Sequence, residues 1–508
     1  MENQSDTESK QWKDMRMKEK LSFIIKNITV EPILTCYILP NIVASLATQN
    51  LNLEKACRVN MKSDNVTAEV CDMIKARNVS KDIEQFEQEA QLLVVGMTYW
   101  QSVLRGTLPA IFILFLGSFS DRSGRRKPFM LFPIAGELFT SVGLILCTYY
   151  EDWPMEVAGF VEAIFPALTG GWTTMFMAVF SYMGDITSVG SRTLRLGIVN
   201  ICVQLAAPLG MLSSGFLYQA VDFMGVFSIV TLMYVLGLVY GAIRINEVRK
   251  PNKLKHNIIK ELTNPMHVIE TFRVSFKTRK GNLRLRVILV MILSITIYGP
   301  IHGELAVGYL FTRLRFNWNE VDFSIYSTYG IAVNLVGTSL GIGVFSHMMK
   351  MDDAMLGLIA CSSKIVASLF YAFAKTSTQF YLASLIDMVG GTAVIAMRSI
   401  ASKLVPSEEL GKINSLFGVC EAVVPLIYQP LYSFVYQKTL NTLPGAFFLV
   451  GSSLTSPTVF IFLYLYYLDK KQPLNTAMLN KEDSPEIKTN EGFDMSEETL
   501  EVPVNTKL

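Results

Sequence analysis

Long apolar runs with almost no charged residues are the feature that most constrains how this chain folds. Residues 206–220 contain no charged side chain, and residues 30–53 contain only Glu31. A helix needs about 20 mostly apolar residues to cross a bilayer. Windows of that length predict twelve spanning helices, near residues 30–52, 91–119, 128–149, 157–184, 194–219, 223–243, 287–311, 322–346, 354–374, 378–402, 413–436 and 445–468.

The composition excludes several other classes of protein. Only 17% of the 508 residues are charged, whereas soluble domains carry about 25%, so a soluble multidomain enzyme and a disordered chain are excluded. The 45 Lys and Arg residues nearly balance 43 Asp and Glu residues, which argues against a nucleic-acid binder. A transmembrane β-barrel would show short alternating segments. The sequence therefore predicts an all-α membrane protein with twelve transmembrane helices in two six-helix bundles.

The distribution of Lys and Arg predicts the orientation, because cytoplasmic segments hold an excess of them. With the N-terminus inside, 32 of the 45 lie in inner segments, 10 lie in outer segments and three lie within apolar runs. The polar start of the chain does not resemble a cleavable signal peptide. The predicted plan is a cytoplasmic tail at 1–29, a six-helix bundle at 30–243 with an extracellular loop at 53–90, a basic cytoplasmic loop at 244–286, a second six-helix bundle at 287–468 and a disordered cytoplasmic tail at 469–508.

The predicted extracellular loop contains Cys57 and Cys71, the two cysteines that lie outside the apolar runs. We predict a disulfide between them, because the outer side of a membrane is oxidising. Two free thiols are the alternative. The loop also contains two N-glycosylation sequons, Asn65-Val-Thr and Asn78-Val-Ser.

A loop with regularly placed Gly, Asp and Arg residues follows the second predicted helix. Gly117 allows close approach of helices, and Gly124 allows a tight turn. Asp121 can face the positive end of a helix dipole, for which the start of the eleventh helix near residues 412–414 is the natural partner. The loop reads Gly117-Ser-Phe-Ser-Asp121-Arg122-Ser-Gly124-Arg125-Arg126-Lys127-Pro128.

The same loop predicts a latch at the cytoplasmic ends of the helices. Arg122 or Arg125 can pair with Asp185 at the inner end of the fourth helix. A cluster of positive-inside charges with a turn is the alternative. The pattern resembles the signature loop of the major facilitator superfamily, and the resemblance implies a transporter fold of two six-helix halves.

A narrower resemblance covers the fourth, fifth and tenth helices. Residues 170–195, which include Asp185, Arg192 and Arg195, are similar to solute carrier family 46, the family of the proton-coupled folate transporter. Residues 398–405 resemble an arginine-containing stretch of that family. The resemblance extends along nearly the whole membrane region and implies transport of a folate-like organic anion with a proton.

The chain departs from that family at two positions that the family ties to coupling. An acidic residue on the fifth helix aligns with Asn200, which becomes a candidate substrate contact. The family's histidine aligns near Gly299, whereas this chain has His302 one turn further on, beside Glu304. A histidine titrates near neutral pH and suits proton transfer. A histidine bonded to backbone freed by the Pro300 kink is the alternative.

Ionisable residues within apolar runs are functional candidates, because each costs about 2.5–3.5 kcal/mol to insert into a bilayer. Arg398 presents a planar fork that matches a carboxylate or phosphate, so we predict that it anchors an anionic substrate or forms a gate ion pair. Asp387, 11 residues earlier on the same predicted helix, should face the same cavity. An Arg398 that snorkels to lipid phosphates is the alternative. Arg105 and Lys364 are the other buried cations, and structural pairs with Glu137, Glu162 or Glu421 are expected. The candidates for proton coupling are His302, Glu304, Glu137, Glu162 and Glu421.

The sequence contains no Gly-x4-Gly-Lys-Ser/Thr, His-Glu-x-x-His or Cys-x-x-Cys motif, so neither an enzyme nor a metal site is predicted. The favoured function is secondary transport of a small organic anion, coupled to protons, in the plasma membrane. A uniporter, or a receptor or scaffold on a transporter fold, is the alternative. We expect a monomer in the lipid bilayer, without nucleic acid and without a cofactor beyond the coupling proton.

Overall fold

The computed structural model describes residues 28–61, 67–77, 81–123, 125–186, 189–247, 282–349, 351–404 and 407–471. These residues form helices joined by short connections, and no strand occurs among them. The all-α prediction is therefore confirmed for this part of the chain. The helices are α1 (Glu31–Lys55), α2 (Ala68–Lys75), α3 (Lys81–Ser123), α4 (Lys127–Tyr149), α5 (Met155–Thr169), α6 (Gly171–Ile186), α7 (Val189–Arg244), α8 (Leu283–Phe316), α9 (Glu320–Leu340), α10 (Asp353–Phe373), α11 (Ser377–Ile386), α12 (Thr392–Leu404), α13 (Ser407–Thr439) and α14 (Ala446–Lys471).

Two helices that the sequence predicts as continuous are broken in the structure. The predicted span at 157–184 divides into α5 and α6 at Gly170 and Gly171, which have φ of 78° and 46°. Glycine tolerates this left-handed backbone because it has no Cβ. The predicted span at 378–402 divides into α11 and α12 around a 3-10 turn at Asp387–Val389 and two following glycines. A hydropathy window registers neither break, since both segments stay apolar throughout.

The region from Val189 to Arg244 contains two predicted spans, 194–219 and 223–243, and the chain kinks between them. The kink lies at Asp222, where the backbone is non-helical and φ is 53°, in agreement with the predicted boundary. The predicted loop at 53–90 differs from the structure, because its described residues are mostly helical. There α1 continues into a π-helical turn at Ala56–Asn60, and α2 and the start of α3 follow.

Three apolar clusters hold the helices together. One lies within α1 and α4 to α7, with Tyr37, Met130 and Phe227 buried in it. A second lies within α8, α10 and α12 to α14. The third joins residues from before and after the central loop, among them Val94 on α3 and Tyr432 on α13. Contacts between α3 and α13, and between α7 and α9, connect the two groups of helices.

The outer faces of the helices are apolar and exposed. On α7 the exposed residues Leu232, Leu236, Val239 and Ile243 recur at helical spacing along one face. An unbroken apolar stripe on the surface is typical of contact with lipid rather than water. Within the described ranges, eight helical segments are able to span a membrane by length and composition, namely Lys127–Tyr149, Met155–Met183, Cys202–Arg244, Leu283–Phe316, Glu320–Phe345, Asp353–Phe373, Ser377–Ala401 and Ala446–Lys471. The count of twelve spans and the division into two six-helix bundles stay predictions.

Candidate functional site

The two ends of the helix bundle are distinguished by different chemistry. The disulfide end contains the Cys57–Cys71 disulfide, the pair that the sequence favours, with α2 beside it. The motif end contains the connection between α3 and α4, where Arg126 pairs with Asp185 at 3.1 Å. The sequence predicted that Arg122 or Arg125 pairs with Asp185, and it did not predict the contact with Arg126.

A buried polar network closes the disulfide end. Arg313 on α8 donates from Nε to Glu87 on α3 at 2.8 Å, and from Nη1 to Asn50 on α1 at 3.1 Å. Glu320 at the start of α9 accepts from Asn50 at 2.9 Å. Arg77, just after α2, shares the Glu87 carboxylate with Arg313. Two guanidinium groups therefore meet two carboxylates, which balances charge in a region shielded from solvent.

Arg105, the first of the three cations predicted within the membrane, pairs with Glu162. The distance from Arg105 Nη1 to Glu162 Oε1 is 2.7 Å. Amides of Asn52 and Gln101 donate to the other oxygen of Glu162 at 3.4 and 3.3 Å. Glu137, which is buried, lies within electrostatic range of Arg105 and Glu162. The expected pairing of Arg105 is thus present, with amides as additional donors.

Lys364 on α10 lies between two carboxylates. Its Nζ is 2.8 Å from Oε2 of Glu304 on α8 and 3.1 Å from Oδ2 of Asp387 in the turn between α11 and α12. The sequence predicted Glu137, Glu162 or Glu421 as the ion-pair partner of Lys364, and that prediction is wrong. The rotation of α8 and the break after α11 determine the partners, and neither can be read from a hydropathy pattern. We call Glu304, Lys364 and Asp387 the charge triad.

Arg398 on α12 pairs with Glu421 on α13, and its Nη2 also donates to the Tyr298 hydroxyl at 3.1 Å. The prediction that Arg398 and Asp387 share one helix is wrong, because the Gly390–Gly391 segment separates α12 from the turn that carries Asp387. Each residue has its own charged partner. Arg398 is the most exposed of the three membrane cations, with 51% of its side chain accessible.

His302 lies two residues before Glu304 on α8, about half a turn away, and does not join the charge triad. It makes no hydrogen bond or ion pair with any residue in the described ranges. Neither of the two roles left open by the sequence, a proton relay tuned by Glu304 or a backbone-bonded histidine, has a contact that supports it.

Several predicted site residues lie outside what the structure describes. Gly124 and the sequon residues Asn65 and Asn78 are outside the described residues. The side chains of five further candidates also lie outside the described residues, namely Asp121, Arg122, Arg192, Arg195 and Asn200. The same holds for Gly117 and for the side chains at 412–414, where the partner of Asp121 was expected.

Sequence reasoning missed the network at the disulfide end. It placed Glu87 in a loop and counted Arg313 among outer charges, where both read as solvated. The available signal was helical spacing, because Ile83, Glu87 and Ala90 lie on one face of α3 and are buried together.

Long apolar helices that enclose paired charges define a polytopic membrane transporter rather than an enzyme. The chain belongs to the major facilitator superfamily, whose family model matches residues 86–428. This confirms the resemblance of the loop between α3 and α4.

Named relatives narrow the similarity to solute carrier family 46. A Drosophila melanogaster protein, the probable peptidoglycan muropeptide transporter SLC46, is 26% identical over 74% of this chain and 74% of its own length. A Gallus gallus protein, the lysosomal proton-coupled steroid conjugate and bile acid symporter SLC46A3, is 25% identical over 84% of this chain and 92% of its own length. The fold is similar to that of the human organic anion transporter MFSD10, with a TM-score of 0.56 at 15% identity over 85% of this chain and 98% of that chain.

Proposed function

We propose that this chain is a secondary transporter that moves a small organic anion across a membrane together with a proton. The observation that carries the proposal is that all three predicted membrane cations pair with carboxylates from a different helix: Arg105, Lys364 and Arg398. A scaffold protein has no use for ionisable side chains that cost free energy to insert into the bilayer. In a transporter, the same side chains can line a polar pathway for a charged solute.

Solvent exposure along α8 supports a cavity that opens toward the motif end. Arg398, which contacts Tyr298, is 51% accessible, and Glu304 further along is 18% accessible. Arg313, near the end of the helix, is only 4% accessible. In the proposal the disulfide end faces the extracellular or lumenal side and both termini are cytoplasmic. The structure then corresponds to a state open to the cytoplasm, and transport alternates it with a state open at the disulfide end.

The named relatives suggest which solutes to test. Muropeptides, steroid conjugates and bile acids stand in their names, and these compounds commonly carry acidic groups. Folates enter through the resemblance of residues 170–195. One relative is named as lysosomal, which gives the expected plasma-membrane location no support. We propose an organic anion of one of these classes as the substrate.

Arg398 is the proposed anchor for the acidic group of the solute. Its Nη2 contacts Glu421 and Tyr298, while Nε and Nη1 have no hydrogen-bond partner among the described residues. The N–H groups of a guanidinium point in fixed directions in one plane, so Nε and Nη1 can each donate a hydrogen bond to an acidic group while Nη2 keeps its contacts. Arginine is suited to this geometry and lysine is not.

Uptake into proteoliposomes tests the proposal. Proteoliposomes with an alkaline interior should accumulate at least one labelled muropeptide, steroid conjugate, bile acid or folate that is added outside. Arg398→Ala should lower uptake at least tenfold with unchanged amounts of folded protein, and Arg398→Lys should not restore it. Uptake at the same rate with and without the pH gradient would indicate a uniporter. No uptake of any of these solutes, together with saturable binding, would favour a receptor.

A further inference from the structure

The charge triad contains one cation and two carboxylates. Lys364 Nζ contacts one oxygen of each carboxylate, Glu304 Oε2 and Asp387 Oδ2. If both carboxylates are ionised, the triad has a net charge of −1 in a poorly solvated environment, where charge imbalance is expensive. Addition of one proton makes the triad neutral without breaking either contact to the ammonium group.

Each carboxylate of the triad has a second oxygen with no hydrogen-bond partner. Glu304 Oε1 and Asp387 Oδ1 are both buried, and neither has a partner in the described part of the chain. Buried polar atoms are almost always paired. An ionised oxygen without a donor is a natural position for a proton.

The surroundings distinguish the two oxygens. Glu304 Oε1 and the Tyr432 hydroxyl border the same small space beside Gly451 on α14. The Tyr432 hydroxyl is also buried and unpaired among the described residues. Asp387 Oδ1 instead lies against Gly390 in its own turn. Glu304 Oε1 and the Tyr432 hydroxyl are therefore neighbours that make no hydrogen bond to each other, and a movement of the side chains would let a protonated Glu304 donate to that hydroxyl, whereas Asp387 Oδ1 lies against the backbone of its own turn.

Among the described residues, the other titratable groups that face the triad are tyrosines, which stay neutral at physiological pH. Tyr371 on α10 presents its ring to Lys364 at 5.8 Å, and its hydroxyl donates to Ser384. Tyr326 on α9 lies within electrostatic range of Lys364, and Tyr432 lies within range of both Glu304 and Lys364. The balance of charge at the triad is thus determined by its own three members.

We infer that Glu304 in the charge triad binds the coupling proton. The proton forms an O–H bond at Glu304 Oε1, the carboxylate becomes a neutral acid that donates to the Tyr432 hydroxyl oxygen, and Lys364 stays an ammonium paired with Asp387. Release reverses the step. This assignment rests on the proposed proton-coupled transport and names the group that performs the coupling.

The second cluster with one cation and two carboxylates does not have the same chemistry. Arg105, Glu162 and Glu137 also sum to −1, but Asn52 and Gln101 donate to Glu162, and none of the carboxylate oxygens in this cluster is among the buried unpaired atoms of the described residues. The two clusters therefore have the same formal charge, but among the described residues only the charge triad has buried carboxylate oxygens without a hydrogen-bond donor.

Transport with a matched set of variants is the first test. At zero membrane potential, a tenfold proton gradient can drive at most about tenfold accumulation with one proton per solute. Glu304→Gln mimics the protonated state, and Asp387→Asn balances the charge of Lys364 without a proton. Both variants should lose accumulation driven by the gradient and keep exchange of labelled for unlabelled solute. The exposed Glu69→Gln should still accumulate solute. Gradient-driven accumulation by Glu304→Gln equal to wild type would overturn the assignment.

Infrared difference spectroscopy during a pH jump is the second test, and it needs no substrate. Wild-type protein should show a carbonyl band of a buried protonated carboxyl that disappears in both Glu304→Gln and Asp387→Asn. A band that persists in Glu304→Gln, or that disappears only in Glu137→Gln, would overturn the assignment. If wild-type uptake ignores the pH gradient, the proposed coupling fails, whatever the spectra show. If wild-type uptake responds and Glu304→Gln responds equally, only the assignment fails.

Discussion

Arg313 and Glu87 are 226 residues apart in the chain, yet the Arg313 Nε lies 2.8 Å from the Glu87 carboxylate in the interior of the protein. Arg313 comes from the second group of helices and Glu87 from the first. Because Arg77 binds the same carboxylate, Glu87 connects α2, α3 and α8 through one side chain. A solute that enters from the disulfide end must separate these groups.

Glu87→Gln should open the disulfide end more often. The variant leaves Arg77 and Arg313 with Glu320 as the remaining carboxylate of the network, and breaking a buried pair costs about 3–5 kcal/mol. We expect Gln91→Cys, which replaces a fully buried side chain, to react at least about tenfold faster with a membrane-impermeant thiol reagent when Glu87→Gln is added. The control is Glu84→Gln on the same helix, where the side chain is exposed. Equal rates in the two backgrounds would show that Glu87 does not hold this end closed.

Reduction of the disulfide should loosen the same end. The Cys57–Cys71 bond closes a loop with a sequence separation of 14, and α2 in that loop supplies the Ile74 carbonyl that Arg313 binds at 3.1 Å. A loop of about 15 residues is stabilised by about 3 kcal/mol. A membrane-impermeant reductant should therefore increase labelling of Gln91→Cys and lower the melting temperature. The variant with Cys57→Ser and Cys71→Ser should show both effects without reductant and no further response to it.

Gly303→Ala should destabilise the packing of α8 against α13. A Cβ at Gly303 would lie 2.4 Å from the Tyr432 ring, which is too close for unchanged packing. Overpacking of this kind costs about 1–3 kcal/mol. Gly308→Ala on the same helix is the matched control, because a Cβ there meets no atom within 4 Å. We expect a lower melting temperature for Gly303→Ala and an unchanged or higher one for Gly308→Ala, whose helix propensity improves. Equal melting temperatures would contradict the close approach.

Lys55→Met should weaken the connection between α4 and α5. The buried Lys55 Nζ donates to the carbonyl oxygens of Tyr150, Glu151 and Trp153 at 3.1, 3.2 and 2.9 Å. Methionine keeps most of the volume but removes these three hydrogen bonds, each of which contributes about 0.5–1.5 kcal/mol. Thermal unfolding in detergent measures the loss. Lys375→Met is the control, because Lys375 is exposed in the connection between α10 and α11, and a similar loss there would indicate a general effect of charge.

Apolar runs made most of the helices predictable, because the length and polarity of a spanning helix follow from the thickness of the bilayer. The breaks at Gly170 and at Asp387 were not predictable, since a hydropathy window averages over the single residues that cause them. The three cations that the sequence places within apolar runs, Arg105, Lys364 and Arg398, each have a carboxylate partner in the structure. The sequence assigned a partner of Lys364 wrongly, because pairing depends on how neighbouring helices rotate, and no local pattern contains that information.

The position of the Cys57–Cys71 bond has a consequence for how the molecule is made. A disulfide forms in an oxidising compartment and is rare where glutathione keeps thiols reduced. If free thiols are blocked before the cells are opened, a closed bond therefore indicates that the disulfide end was exposed to the lumen of the secretory pathway. One covalent bond then serves as a record of insertion: a mass spectrum of the 57–71 linkage reports which way the whole bundle entered the membrane, even after the membrane is gone.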